Sequence, residues 1–251
     1  VTPACCEVAA ALYRWSLPEV HVVSSAAAAE MVKLLENTFR LINIGLVNEI
    51  ALVCERLGLD VWEIIDAAAT KPFGYMPFYP GPGLGGHCIP IDPHYLSWKL
   101  RSLNFFTRFI DLAAEINRGM PLHVVNRVGL LLNDRKKALN GAKALVVGVT
   151  YKRDTADIRE SPALDVIELL RQRGAEVTYH DPFVPELEIE GHAVPARPLT
   201  PEVLRAQDVV TIVTDHTGID YAAIVEHAPL VFDSRNATKH VPDTRGKVTR
   251  L

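Results

Sequence analysis

The sequence predicts an α/β protein: an all-helical central region built on one very long helix, followed by a doubly wound parallel-sheet domain. Three patterns carry that expectation. Apolar residues recur at three- and four-residue spacing from about Ser25 to Leu57, the period of one helical face. Helical patterns return at His94–Leu103 and from about Arg108 to Leu139, beyond a proline- and glycine-rich loop. From Ala144 onward, short apolar runs alternate with short helical patterns, as in a sheet covered on both faces.

In chain order, residues 3–16 suggest a helix opened by Pro3, and Val20–Val23 reads as a strand. Together they look like the last α/β unit of another sheet, since a lone strand cannot bury both faces. The chain starts at Val1 without a methionine, and residues 1–24 are expected to be the remnant of a preceding domain.

The central region covers residues 25–140. Met31, Leu34, Leu35, Phe39, Ile42, Leu46, Val47, Ile50 and Val53 form the stripe of the long helix, with Ser24 or Ser25 as its cap and Gly58 as its stop. A helix of this length spans roughly 50 Å at about 1.5 Å per residue, so part of it is expected to pack on another subunit. Glu30, Lys33 and Asn37 share one face, which reads either as a functional cluster or as a solvated stripe with a weak ion pair. Asp60 caps a short helix to Thr70, the loop Lys71–Pro93 follows, and Gly119 and Pro121 mark a break or kink in the last helix.

The α/β domain covers residues 141–251. Ala144–Val149 is its first strand, Pro162 opens a helix over 161–173, and Val177–His180, Val209–Val213 and Leu230–Phe232 are further strands. Short helices are expected near 201–206 and 220–227. Ligands bind beyond the carboxyl ends of such strands, where Lys152 and Arg159 either meet phosphates or stand as solvated charges. With no complete glycine fingerprint after its first strand, the domain reads as a mononucleotide binder.

Composition narrows the function classes. A net charge of -4 with no basic block speaks against nucleic-acid binding. No apolar run reaches the roughly eighteen residues of a membrane span, and no signal-peptide pattern is visible. Four cysteines, two of them adjacent, do not resemble a disulfide framework, so a reducing cytoplasm is expected.

Chemistry concentrates in Gly81–Pro93, where four glycines, three prolines, one thiol and one carboxylate share thirteen residues. Free cysteine is usually a small buried hydrophobe. Here glycines let backbone approach a substrate and prolines stop regular structure, so Cys88 reads as a nucleophile. Gly81, Gly83 and Gly86 satisfy G-x-G-x-x-G, but Pro77, Pro80 and Pro82 stand where that fingerprint requires a strand. Zinc binding by His87, Cys88 and His94 lacks a C-x-x-C or H-E-x-x-H partner, and no metal is expected. Acyl transfer by Cys88 with His87 is set aside, because adjacent residues rarely converge on one proton. The aromatics Phe73, Tyr75, Phe78 and Tyr79 offer surfaces for a sugar or a base.

Four phrases in this order, A-E-M-V-K-L-L-E-N, G-P-G-L-G-G-H-C-I-P-I-D-P, G-V-T-Y-K-R-D-T-A-D-I-R-E-S and F-D-S-R-N, resemble the UDP-glucose/GDP-mannose dehydrogenase family. The wording from Lys71 to Pro93 looks most like the branch oxidising UDP-N-acetylhexosamines, particularly UDP-N-acetylglucosamine 6-dehydrogenases. The resemblance implies an N-terminal NAD-binding domain, of which residues 1–24 would be the tail. It also implies a central dimerising and catalytic domain at 25–140 and a Rossmann-like UDP-binding domain at 141–251. It implies NAD as cofactor, a UDP-sugar as substrate, a homodimer through the long helix, and a role in polysaccharide precursor synthesis. The 251 residues are expected not to turn over alone, and the alternative is a non-catalytic UDP-sugar-binding and dimerisation module.

By the same resemblance Cys88 is the nucleophile that forms a thiohemiacetal and then a thioester. Lys33 stabilises the oxyanion, Asn37 holds the same oxygen or a water, and Asp92 positions or deprotonates water. Tyr151, Lys152 and Arg235 contact the UDP-sugar, with Phe78, Tyr79, Gly81 and Gly83 closing over sugar or uridine. Arg159 matches an arginine reaching the NAD pyrophosphate. His87 and Ile91 stand where many UDP-glucose enzymes carry serine and lysine, which implies a different sugar.

Overall fold

The computed structural model describes residues 2–243 and 245–251. Helix α1 is Pro3–Arg14, opened by proline and capped by the Thr2 hydroxyl. The segment Val20–Val23, expected as a strand, is irregular, with Val20 half-buried and the other three residues exposed. A strand exists through ladder bonds to a neighbour, and no strand of the sheet pairs with this segment.

Helix α2 runs Ala26–Leu57, with the Ser25 hydroxyl accepting the Ala28 N–H and the chain turning left-handed at Gly58. Asp60 caps α3, Val61–Ala69. The long loop then leads to α4, Asp92–Arg101, and α5, Arg108–Asp134. No break occurs at Gly119 or Pro121, and α5 continues across both. Its first half crosses α2, while Val124, Val125, Val128 and Leu132 of its second half are fully buried against the sheet. One helix therefore belongs to two cores.

The sheet has strands β1 Lys143–Val147, β2 Glu176–His180, β5 Val209–Ile212, β6 Val231–Asp233 and β7 Val248–Arg250. All its pairings are parallel, in the order β2-β1-β5-β6-β7. Strand β1 is apolar from Ala144 to Val147 because both faces are covered there. Ala144 and Val146 join a core with α5 and α6 (Pro162–Gln172), and Leu145 and Val147 join one with α7 (Pro201–Arg205) and α8 (Tyr221–His227). The hairpin of β3 (Leu187–Ile189) and β4 (His192–Val194) and the edge strand β7 were not anticipated. Three-residue strands leave too short an alternation to read. No helix among the described residues is long and apolar enough to cross a membrane.

Candidate active site

The chain order reverses around β1: the crossover through α6 leads to β2 on one side, while β5 lies on the other. Ligands gather at such a switch point, outside the carboxyl ends of the strands. Two loops meet there, Gly148–Ser161 after β1 and Val213–Asp220 after β5. Asp154 accepts from the Thr217 N–H at 2.9 Å and from its hydroxyl at 2.5 Å. Asp215 receives Arg153 and, at 3.4 Å, the Arg235 Nε.

Beneath them, His216 and Asp181 are both fully buried. His216 Nδ1 accepts the Asp154 N–H at 2.9 Å, which puts the proton of the neutral ring on Nε2, 2.9 Å from Asp181 Oδ2. Burial pushes the Asp181 carboxyl up, but His216 and the Val149 and Phe183 amides outweigh it, and its pKa is lowered. None of these residues entered the sequence-based site. The T-D-H-T phrase at the end of β5 was the available signal, because polar residues at that edge are where such sheets bind ligands.

A cavity of about 440 Å³ opens at this edge, lined by Trp62, Tyr79, Arg153, Asp215, Arg235 and Lys239 among others. Tyr79 stacks on Trp62 at 6.0 Å and donates to Asp66 at 2.7 Å, a bond that raises its pKa. Aromatic faces beside guanidinium and ammonium groups suit a planar ring joined to an anion.

The glycine-rich loop lies in the seam between the helices and the sheet domain. A Cβ at Gly85 would stand 2.6 Å from the Glu160 carbonyl, one at Gly83 2.9 Å from Pro162, and one at Gly86 2.8 Å from the Tyr151 ring. The Gly86 N–H donates to the Arg159 carbonyl at 3.1 Å. Backbone approach is therefore what these glycines permit, and the surface approached is the protein's own. Phe78, expected over the ligand, packs edge-on to Phe39 at 5.7 Å and against the α2–α3 core. Burying an apolar ring there is more favourable than exposing it.

Past Gly86 the loop tightens into the first turn of α4, where the Cys88 carbonyl accepts the Ile91 and Asp92 amides at 3.2 and 2.8 Å. Cys88, half-buried, and Asp92 thus sit one turn apart. Asn37, 2 % exposed, donates to Asp92 Oδ2 at 2.6 Å, and the Lys33 ammonium stands 3.7 Å from the same oxygen. Two residues one turn apart on α2 converge on one carboxylate of α4.

The other expected residues separate. Lys152 is exposed. Arg159 is exposed and forks onto Asp157 through Nε at 3.0 Å and Nη2 at 2.6 Å, holding that carboxyl down to about 2. Among the described residues no cluster of three His, Cys, Asp or Glu side chains could hold a metal.

Comparison with known proteins identifies the family of both halves of the chain. Residues 27–119 match the central domain of the UDP-glucose/GDP-mannose dehydrogenase family, and residues 145–240 its UDP binding domain. The chain is 36% identical over 242 residues to a UDP-N-acetyl-D-mannosamine dehydrogenase of Methanococcus maripaludis, covering 93% of this chain and 54% of that protein. It is 36% identical over 184 residues to a UDP-N-acetyl-D-glucosamine 6-dehydrogenase of Pseudomonas aeruginosa, covering 73% of this chain and 43% of that one. The solved UDP-D-ManNAc dehydrogenase of Pyrococcus horikoshii superposes with a TM-score of 0.85 at 31% identity, over 99% of this chain and 57% of its own. The chain spans about half the length of the relatives it matches.

Proposed function

The chain belongs to the UDP-glucose/GDP-mannose dehydrogenase family, and from that membership we propose that it carries the substrate-holding and nucleophilic parts of an NAD-dependent 6-dehydrogenase acting on a UDP-N-acetylhexosamine. The observation behind this reading is the convergence of Lys33 and Asn37 on Asp92, one helical turn from Cys88. The sugar is UDP-N-acetylglucosamine or its mannosamine epimer, as in the names of the similar proteins.

Cys88 adds its sulfur to the C6 aldehyde, holding that carbon as a thiohemiacetal and, after oxidation, as a thioester. Lys33 and Asn37 donate to the oxygen that gathers charge at each addition. Asp92 takes a proton from the water that cleaves the C–S bond, and the carboxylate leaves as the thiol is restored. The cofactor bound beside this site would supply the hydride acceptor, one NAD for each of the two oxidations. Arg159 is the side chain expected to hold its pyrophosphate, and it fits in part: the side chain is 63% exposed and Nη1 lies outside the fork with Asp157. The 251 residues hold substrate and nucleophile and are expected not to turn over by themselves. Uridine and diphosphate belong in the cavity at Tyr79, Arg153 and Arg235. A homodimer through α2 is supported by Leu35, Phe39, Leu46, Ile50, Val53 and Leu57, large apolar residues left exposed at three-, four- and seven-residue intervals. Four free cysteines fit a reducing cytoplasm.

Alkylation by a UDP-sugar carrying a chloroketone at C6, mapped by peptide mass spectrometry, tests the assignment without cofactor. Cys88 should react before the exposed Cys5 and Cys6, and UDP should protect it. Labelling confined to Cys5 and Cys6, or indifferent to UDP, would sink the proposal.

A further inference from the structure

A buried chain of amides links the helical core to the nucleotide cavity. Helices α2 and α5 cross so closely that a Cβ on Gly45 would lie 3.1 Å from the Ala113 backbone. One turn further along each helix, Asn48 and Asn117 meet, 0 % and 4 % exposed. Asn117 Nδ2 donates to the Leu41 carbonyl at 3.2 Å, Asn48 Nδ2 donates to Asn117 Oδ1 at 2.8 Å, and the Gly81 N–H donates to Asn48 Oδ1 at 2.9 Å. A carbonyl at one end and an N–H at the other leave one orientation for both amides. The chain therefore has a fixed polarity that ends on the loop backbone.

Gly81 is where it meets the sheet domain. A Cβ there would lie 2.5 Å from Arg235 Nη1, so the guanidinium rests on the glycine itself. Its Nε is tied from the other side to Asp215, which also holds Arg153. A shift of Gly81 by a few tenths of an ångström would move Arg235 within the cavity.

Resting on the reading of that cavity as the nucleotide site, we propose that Asn48 is a positioning residue: by fixing the Gly81 amide it sets the seat of Arg235, and through Arg235 the affinity for a uridine diphosphate. Asn48 is fully buried and does not line the cavity. Replacing it by leucine leaves two buried partners unsatisfied, and the loop backbone then moves to find water.

The test uses the whole chain with two readouts, the Arg235 Nε–H signal in the NMR spectrum without ligand and UDP affinity by calorimetry. Asn48→Leu should displace the Arg235 signal and weaken UDP roughly tenfold, the effect of one buried donor losing its acceptor. In an Arg235→Ala background the same substitution should lower the melting temperature yet cost no further affinity, because both changes act through one side chain. Asn48→Asp guards against a failure to fold. Protonated, its carboxyl accepts from Gly81 and donates to Asn117 as the amide does, so both readouts should be near wild type at low pH and depart as pH rises. An unmoved Arg235 signal in Asn48→Leu, or affinity losses that multiply in the double variant, would overturn the assignment. If the wild-type chain binds no UDP, the nucleotide reading falls, while the Arg235 signal still decides whether Asn48 positions it.

Discussion

Gly86 and Gly74 have nearly the same left-handed backbone, φ +85° and φ +77°, but different surroundings. A Cβ on Gly74 meets nothing within 4 Å, while one on Gly86 stands 2.8, 3.0 and 3.3 Å from three atoms of the Tyr151 ring. Alanine at either site costs about 1–2 kcal/mol for the left-handed conformation. At Gly86 the ring must also shift, and overpacking of that kind adds about 1–3 kcal/mol. Gly86→Ala should therefore destabilise by about 1–3 kcal/mol more than Gly74→Ala, read from urea unfolding with unchanged m-values. Because Tyr151 belongs to the expected UDP-sugar surface, Gly86→Ala should also weaken UDP in calorimetry and Gly74→Ala should not. Trimming the ring with Tyr151→Ala should remove most of the excess instability. Equal costs at the two glycines, or an excess that survives Tyr151→Ala, would refute the packing account of the loop.

Asp181→Asn should cost about 1–3 kcal/mol, since one amide cannot accept from buried His216 and from the Val149 and Phe183 N–H groups at once, and a buried donor is left unsatisfied. Because the Asp181 pKa is lowered in the fold, its contribution is present above the unfolded value near pH 4 and is lost as pH falls through the lower folded value. Thermal melts of the variant should therefore show a flatter acid limb than wild type; parallel limbs would mean that another carboxylate governs acid unfolding. On the exposed stripe of α2, Leu46→Glu with Ile50→Glu should leave helix content unchanged and turn a sedimenting dimer into a monomer. Retention of the dimer would place the contact elsewhere.

The legible parts of the fold were those whose cause is local. Ser25, Gly58 and Asp60 act within a few residues of themselves, and the sequence placed all three ends. The doubly covered β1 announces itself because four successive residues from Ala144 to Val147 are each fully buried on one face or the other. Illegible parts depend on partners far along the chain. Val20–Val23 has strand composition and, among the described residues, no strand that pairs with it. Asn48 interrupts an apolar face, and its meaning comes from Asn117, 69 residues later. Phe78 was assigned to the ligand by its neighbours in sequence, whereas Phe39 claims it in space. In the proposed catalytic cluster, Lys33 and Asn37 were joined by helical period and Cys88 and Asp92 by loop spacing; only folding brought Lys33 and Asn37 to one oxygen of Asp92.

A nucleotide-sugar has three parts to be held at once: a base, a diphosphate and a sugar carbon. On the proposed function, no single core of this chain would touch all three. The aromatic stack of Tyr79 on Trp62 comes from the helical region, Arg153 and Arg235 from the sheet edge, and Cys88 from the loop between them. Their relative placement is set by the seam: Gly81 against Arg235, Gly86 against Tyr151, Gly86 N–H to Arg159, and Trp62 Nε1 to the Leu251 carbonyl at 2.9 Å. A side chain at Gly81 or Gly86 would wedge the seam open, and misplacing a reacting group by about 1 Å can cost on the order of a hundredfold in rate. On the proposed function the glycines matter by what they exclude: with no Cβ in the seam, Cys88, Arg153 and Arg235 are held in one frame before any substrate arrives.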